Sequence, residues 1–442
     1  MSTTAVAPEQ RTFRSFAGAT ARGIAGRQGG ALVLVAAVLA LPALTGAATV
    51  TAFTWAYVGM LTLTSLLGFG AERLASLLVA ERGSAQPATA LRPLVLVRIA
   101  TIPVAALALW ALVTFVHADV PLAAGAGAVV WIAAVHLAVL AAAGLRSLGD
   151  AHTEPRVTAV VRVTQAAVLL GVAALGAGPT VMVGLLAIIE LAGAFRLMAA
   201  VDRSGNARSA GTGRSGVGSL RRVAALAGIE TVGLLYLRAD LLLVGYLLGA
   251  GPGATYGLLY RIVDGAGGAA CTASLWLFAD AATRRDGGDA RSGVRARSLL
   301  VFPALASAAA GIAVVLAGTL GSLVPRFAGE VGTLRLLIAA VPLLVWNALE
   351  LYLRAARGRH GAVLAVGLIA LVVNVLLCVV LIGDHGLRGA AVALLGAELA
   401  QTIALCASAR PVERSVVGPS ALLAGAGCAA LVLLGAVCGG VW

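Results

Sequence analysis

The sequence predicts an all-α integral membrane protein of about 13 transmembrane helices, built as two six-helix lobes and an extra C-terminal helix. Three observations carry that prediction. Of 442 residues, 60% are hydrophobic and 12% are charged, with a mean hydropathy of +0.99, where a soluble domain carries about 25% charged residues. Apolar runs long enough to cross ~30 Å of hydrocarbon recur from Gly29 onward. Arginines cluster in every second connection between those runs, the pattern of positively charged loops retained on the cytoplasmic side.

The runs fall near 29–48, 50–70, 94–117, 121–146, 156–177, 179–201, 222–249, 253–282, 298–323, 332–355, 361–382, 386–408 and 418–441. Segment 1–28 carries Arg11, Arg14, Arg22 and Arg27, which place the N-terminus inside. A basic start, an apolar run and small residues at Ala47 and Ala48 are also features of a secretory leader. A second apolar run follows at once, so an uncleaved first helix is expected. The signal then repeats at Arg73 and Arg82, Arg146 and Arg156, Arg203 to Arg214, Arg284 to Arg297, Arg354 to Arg359, and Arg410 and Arg414. The intervening loops hold only Arg326, Arg335 and Arg388, which leaves Val441 and Trp442 outside and makes this a multi-pass protein of the cytoplasmic membrane.

The net charge of +13 is thereby explained by sorting, and no nucleic-acid partner is inferred from it. Every basic residue is arginine, so no Walker lysine exists. Gly211 to Gly216 satisfies G-x-G-x-x-G but follows a membrane helix and lacks the βαβ context of a dinucleotide site. Cys271, Cys378, Cys406, Cys428 and Cys438 lie within apolar runs without metal-ligand spacing and read as packing residues.

Segment 203–221 is a basic Gly/Ser stretch suited to a cytoplasmic linker. It divides an N-terminal lobe, 29–202, from a C-terminal lobe, 222–408, and leaves 409–442 as the extra helix. Gly178 to Ala192 aligns without gaps on Gly386 to Ala400, matching Glu190 with Glu398 and so the sixth run with the twelfth. Related bundles in one chain are frequent among transporters.

The seventh and eighth runs form a charged hairpin holding Arg238, Asp240, Arg261 and Asp264. A charge at the centre of a bilayer helix costs roughly 2.5–3.5 kcal/mol even on lenient scales, so such residues mark a polar interior or a substrate path. By depth from the turn near Gly251, Asp240 lies level with Arg261 and Arg238 near Asp264. By direction, residues two apart on a helix face about 200° apart, which places Asp240 with Arg261 and Asp264 on the seam and turns Arg238 away. All four either staple the hairpin, or Arg238 or Arg261 faces a water-filled cavity and binds an anion, a task that suits the planar guanidinium.

Glu190, Glu398 and Glu230 are the other acids of the runs, and each either couples proton movement or hydrogen-bonds across a helix interface. Asn374 and Gln165 read as interhelical hydrogen-bonding groups and His136 as a packed polar residue. Glu350 and Arg354, four apart, read as a local snorkelling pair. Arg98 and Arg162 near cytoplasmic helix ends, with Arg22 and Arg27, read singly as snorkelling residues and together as a cationic mouth for a phosphorylated headgroup.

The blocks Arg238 to Gly245, Gly249 to Thr255 and Tyr256 to Arg261, then Asn374 to Leu377, Gly386 to Ala393 and Glu398-Leu399, resemble the polysaccharide-export flippases of the multidrug/oligosaccharidyl-lipid/polysaccharide superfamily. The resemblance covers mainly residues 220–408 and implies two lobes in a V shape around a central cavity. It implies transport of a polyprenyl-diphosphate-linked oligosaccharide by alternating access. The implied partners are that lipid-linked glycan, the bilayer, and a glycan polymerase or glycosyltransferases of the same pathway. No cofactor is implied beyond a proton or sodium ion as coupling species. In the related lipid II flippases several first-lobe arginines line the cavity, whereas here those arginines lie near the cytoplasmic face. The alternatives are a cation-coupled multidrug antiporter of the same superfamily and a membrane glycosyltransferase or polymerase, the latter disfavoured by external loops of about ten residues or fewer.

Overall fold

The computed structural model describes residues 13–68, 87–148, 153–206, 220–271 and 290–438, together with Ala75 and Asp150. The N-terminal residues 1–12, most of the linker with its glycine motif, and residues 272–282 of the eighth expected run lie outside these. Among the described residues the chain is helical without a strand. The first helices are α1 (Phe13–Leu44), α2 (Ala47–Leu66), α3 (Pro87–Ala100), α4 (Ile102–Phe115), α5 (Leu122–Ser147), α6 (Thr153–Ala174) and α7 (Pro179–Asn206). Then come α8 (Leu220–Leu248), α9 (Ala250–Leu259), α10 (Ala290–Leu323), α11 (Val331–Ala356), α12 (His360–Ala407) and α13 (Pro411–Val437). Helix α9 passes through a turn at Tyr260 into a further helical stretch, 261–271.

Nine of the described helices are long and apolar enough to cross a membrane, and α3 with α4 makes a tenth as one span bent by 41°. The bend has a local cause. Pro103 in the first turn of α4 removes an amide and presses its ring toward the preceding turn.

Helix α12 has 48 residues, about 72 Å at 1.5 Å per residue, more than twice the hydrocarbon thickness. At Gly386, with φ 56° and ψ −134°, it reverses. A Cβ at Gly389 would lie 2.2 Å from the carbonyl oxygen of Leu381, and one at Gly396 would lie 2.7 Å from the Leu377 side chain. These approaches show two arms folded back on each other, in line with the separate runs 361–382 and 386–408 read from sequence.

The helices pack as two sets. In the first, α5 lies on α7 and α1 on α6; in the second, α8 lies on α12, and α11 contacts α10, α12 and α13. Helix α11 is the hub: 83% of its spanning window is buried, against 22% for α10, whose outer face is apolar and exposed. Trp346 of α11 is fully buried and donates its indole N–H to Ser420 Oγ at 2.9 Å, which fixes α13 against the second set. Small residues allow the close approach on which helix association in lipid depends; a Cβ at Gly427 of α13 would lie 2.2 Å from Ser307 Oγ of α10. Helix α2 is the main bridge between the sets, touching α8 and α9.

Candidate functional site

The charged hairpin departs from the angular expectation. Arg238 Nη1 lies 3.0 Å from Asp264 Oδ1 and Arg261 Nη1 lies 2.8 Å from Asp264 Oδ2, so one carboxylate serves two arginines. Asp240 stands outside that seam: its Oδ2 accepts from the Tyr256 hydroxyl at 2.8 Å and its Oδ1 from the Leu241 amide at 2.8 Å. The depth match of Arg238 with Asp264 holds, as does the shared face of Arg261 and Asp264; the match of Asp240 with Arg261 and the turning away of Arg238 fail, because Cα direction does not fix the head of a long, flexible side chain. Tyr256 occupies the place beside Asp240 that Arg261 was expected to take. Both guanidinium groups also lie over aromatic rings, Arg238 5.9 Å from the Tyr260 centroid and Arg261 5.1 Å from that of Tyr57 on α2, contacts that favour a desolvated cation.

A cavity of about 530 Å³ opens between the two sets. Its wall is mostly apolar, formed by α2, α3 and α5 on one side and by α8, residues 263–271, α11 and α12 on the other. The ionisable wall groups include Arg98, His136, Asp264 and Glu398. Of the four hairpin charges only Asp264 lines it among the described residues; Arg238 and Arg261 stand behind that carboxylate, 7% and 2% exposed.

Arg98 is buried at the last turn of α3 and donates to the Leu67 and Gly68 carbonyls at the end of α2. Among the described residues no carboxylate pairs with it. His136 Nε2 lies 2.9 Å from the Thr64 carbonyl oxygen, one turn from those carbonyls. Glu398 accepts from the Tyr236 hydroxyl at 2.8 Å and from Asn347 Nδ2 at 2.6 Å, and Asn347 Oδ1 in turn accepts from Thr402 at 3.0 Å. Asn374 donates to the Tyr236 carbonyl at 3.2 Å, a hydrogen bond between helices as read from sequence.

Glu190 belongs elsewhere. It accepts from Arg162 at 2.5 and 3.2 Å and from Gln165 at 3.0 Å, across α6 and α7, beside a separate cavity of about 140 Å³. Arg162 is thus an interhelical ion-pair partner, not a snorkelling residue, and it does not share a mouth with Arg98. Glu350 and Arg354 form their pair at 2.9 Å with both side chains fully buried, where snorkelling was expected. Arg354 has a further task that keeps it inside: it donates to the Leu405 carbonyl and to Ser408 Oγ, each at 2.6 Å, closing the end of α12. The side chains of Arg22, Arg27 and Glu230 lie outside the described residues. Sequence reading missed Tyr236, Tyr256, Asn347 and Thr402; the signal for them was a polar group in an apolar run at helical spacing from a buried acid.

Among solved structures, the chain is similar to the lipid II flippase MurJ in an inward closed conformation. The match covers 96% of each chain with a TM-score of 0.60 at 11% sequence identity, a likeness of fold. The all-helical membrane architecture of this chain is therefore similar to that of this flippase. No family model matches the sequence, and no curated protein matches it.

Proposed function

We propose that this protein moves a polyprenyl-diphosphate-linked oligosaccharide, a cell-surface polysaccharide precursor, across the cytoplasmic membrane by alternating access. The carrying observation is Arg98, a buried cation with no carboxylate partner among the described residues, on the wall of an apolar cavity between two helix sets. A guanidinium there suits a diphosphate oxygen, because charge-assisted bonds are the strong ones and the surrounding wall excludes competing water. Behind Asp264, two arginines against one carboxylate add to the positive potential at the wall. The cavity volume lies within the ~300–1,000 Å³ usual for ligand sites, room for a headgroup while the polyprenyl chain stays in lipid. In this reading Arg98 holds the anion, and Arg238 and Arg261 act on it only through their charge from behind Asp264. The two lobes rock about the linker 203–221, and Asp240 or Glu398 carries the coupling proton or sodium ion.

A multidrug antiporter is the second reading, favoured by one observation. Glu398 on the same wall has hydrogen bonds from neutral groups, and a soft organic cation would find a carboxylate there.

The test is translocation of a fluorescent polyprenyl-diphosphate sugar in reconstituted vesicles. A charged hydrogen bond contributes roughly 1.5–3 kcal/mol, so Arg98→Gln is expected to slow translocation roughly 10- to 100-fold, with Arg98→Lys recovering part of the rate. Wild-type rates from well-folded Arg98→Gln protein would remove the reading.

A further inference from the structure

The cavity lies toward one end of the helices. Its wall uses residues 229–237 of α8, 344–355 of α11 and 363–367 of α12, near the α11–α12 turn at Gly358. The opposite end, at the α8–α9 turn around Gly249, is closed by contacts from one helix set to the other. Trp55 of α2, 1% exposed, donates its indole N–H to the Ala250 carbonyl at 3.0 Å. Its ring sits in a notch cut by two glycines; a Cβ at Gly245 or Gly253 would come within 2.6 Å of it. Beside it, Phe115 at the end of α4 stacks on Tyr246 of α8, with centroids 4.6 Å apart and planes 11° from parallel.

We infer that Trp55, with the Phe115–Tyr246 stack, is a latch that seals the Gly249 end of the path while the Gly358 end holds the open cavity. This rests on the transport reading, since a latch matters only in a protein that opens at both ends. The contacts suit reversible closure. None is an ion pair, only one is a hydrogen bond, and the residues come from both sets, so separating α2 and α4 from α8 and α9 breaks all of them together. The notch explains two glycines of the apolar hairpin that the charged residues do not. Gly249, at φ 94°, lets the turn present the Ala250 carbonyl to the indole. Two residues further along α2, Tyr57 holds the Arg261 guanidinium 5.1 Å from its ring centroid, so the helix that carries the latch also touches the charged cluster.

The chain carries its own reporter in Cys271, on the cavity wall. In a parent whose other four cysteines, Cys378, Cys406, Cys428 and Cys438, are replaced by alanine, an impermeant maleimide is added to vesicles from one face and then the other. The parent should label quickly from the Gly358 face and slowly from the Gly249 face. Trp55→Phe, which keeps the ring and loses the hydrogen bond, should raise labelling from the Gly249 face roughly 2- to 10-fold. Phe115→Ala with Tyr246→Ala, at half-exposed positions tolerant of truncation, should raise it as well. If both variants stay monodisperse and label from that face at the parent rate, the latch is wrong. Faster labelling without translocation of the lipid-linked probe would keep the latch and remove the substrate reading, so the two failures are separable.

Discussion

Asp264 shows how one residue balances a buried cluster. It gives one oxygen to Arg238 and the other to Arg261, while Arg238 Nε and Arg261 Nη2 find no hydrogen-bond partner among the described residues. Removing one partner of a buried pair costs about 3–5 kcal/mol because a charge is left uncompensated. Asp264→Asn strands two cations and should reach that range, discounted slightly for its 20% side-chain exposure. Arg238→Gln leaves Asp264 paired with Arg261 and should cost clearly less. Chemical or thermal denaturation in detergent checks the order, and equal losses would mean that Asp264 does not hold both arginines. Sequence reading identified all four charged residues of this hairpin and joined Arg261 to Asp264 correctly by their three-residue spacing, but it turned Arg238 away from that seam, where it also pairs with Asp264. It mispaired Asp240 because helical angle fixes Cα direction, not the position of a guanidinium several bonds away, and because a tyrosine four residues before Tyr260 competes for the same carboxylate. The Arg162–Glu190 pair was missed for a related reason: the partners are 28 residues apart on neighbouring helices, and span boundaries alone do not give rotation about the helix axis.

At the scale of elements, apolar run length gave most helix positions, and glycine and proline gave the breaks. Pro103 bends α3 against α4. The reversal in α12 depends on two glycines for different reasons. Gly386 adopts φ 56° and ψ −134°, a region close to glycine-only, where another residue costs about 1–3 kcal/mol of strain. Gly389 has ordinary helical geometry, but a Cβ there would strike the Leu381 carbonyl on the facing arm. Gly383 has nothing within 4 Å and normal backbone. Gly386→Ala and Gly389→Ala should therefore lower the melting temperature, the second also loosening the Glu398 network carried on the same arm, whereas Gly383→Ala should be neutral or slightly stabilising. Tolerance of all three would mean that the arms do not pack as closely as described. The sequence placed a boundary here because apolarity lapses at Asp384 and His385. It carried no sign of the Gly389 contact, which exists only once the arms meet.

For the whole molecule, the bundle of membrane helices was legible because apolar composition and run length are properties of the chain as a line. The cavity was not, since it is defined by residues from at least six segments that approach only in the folded state. Its wall brings together Arg98, a cation with no carboxylate partner among the described residues, and a carboxylate held by neutral groups, Glu398, and these favour opposite ligands. Linkage separates them, because a ligand that binds the folded state alone stabilises it by RT ln(1 + [L]/Kd), about 2.7 kcal/mol at 100 times Kd. A polyprenyl diphosphate should therefore raise the melting temperature of the purified protein, and Arg98→Gln should abolish that rise when each protein is compared with its own unliganded value. Tetraphenylphosphonium should leave it unchanged. A rise with the cation that disappears in Glu398→Gln, and none with the diphosphate, would reverse the assignment and make Glu398 the ligand-binding group of an antiporter.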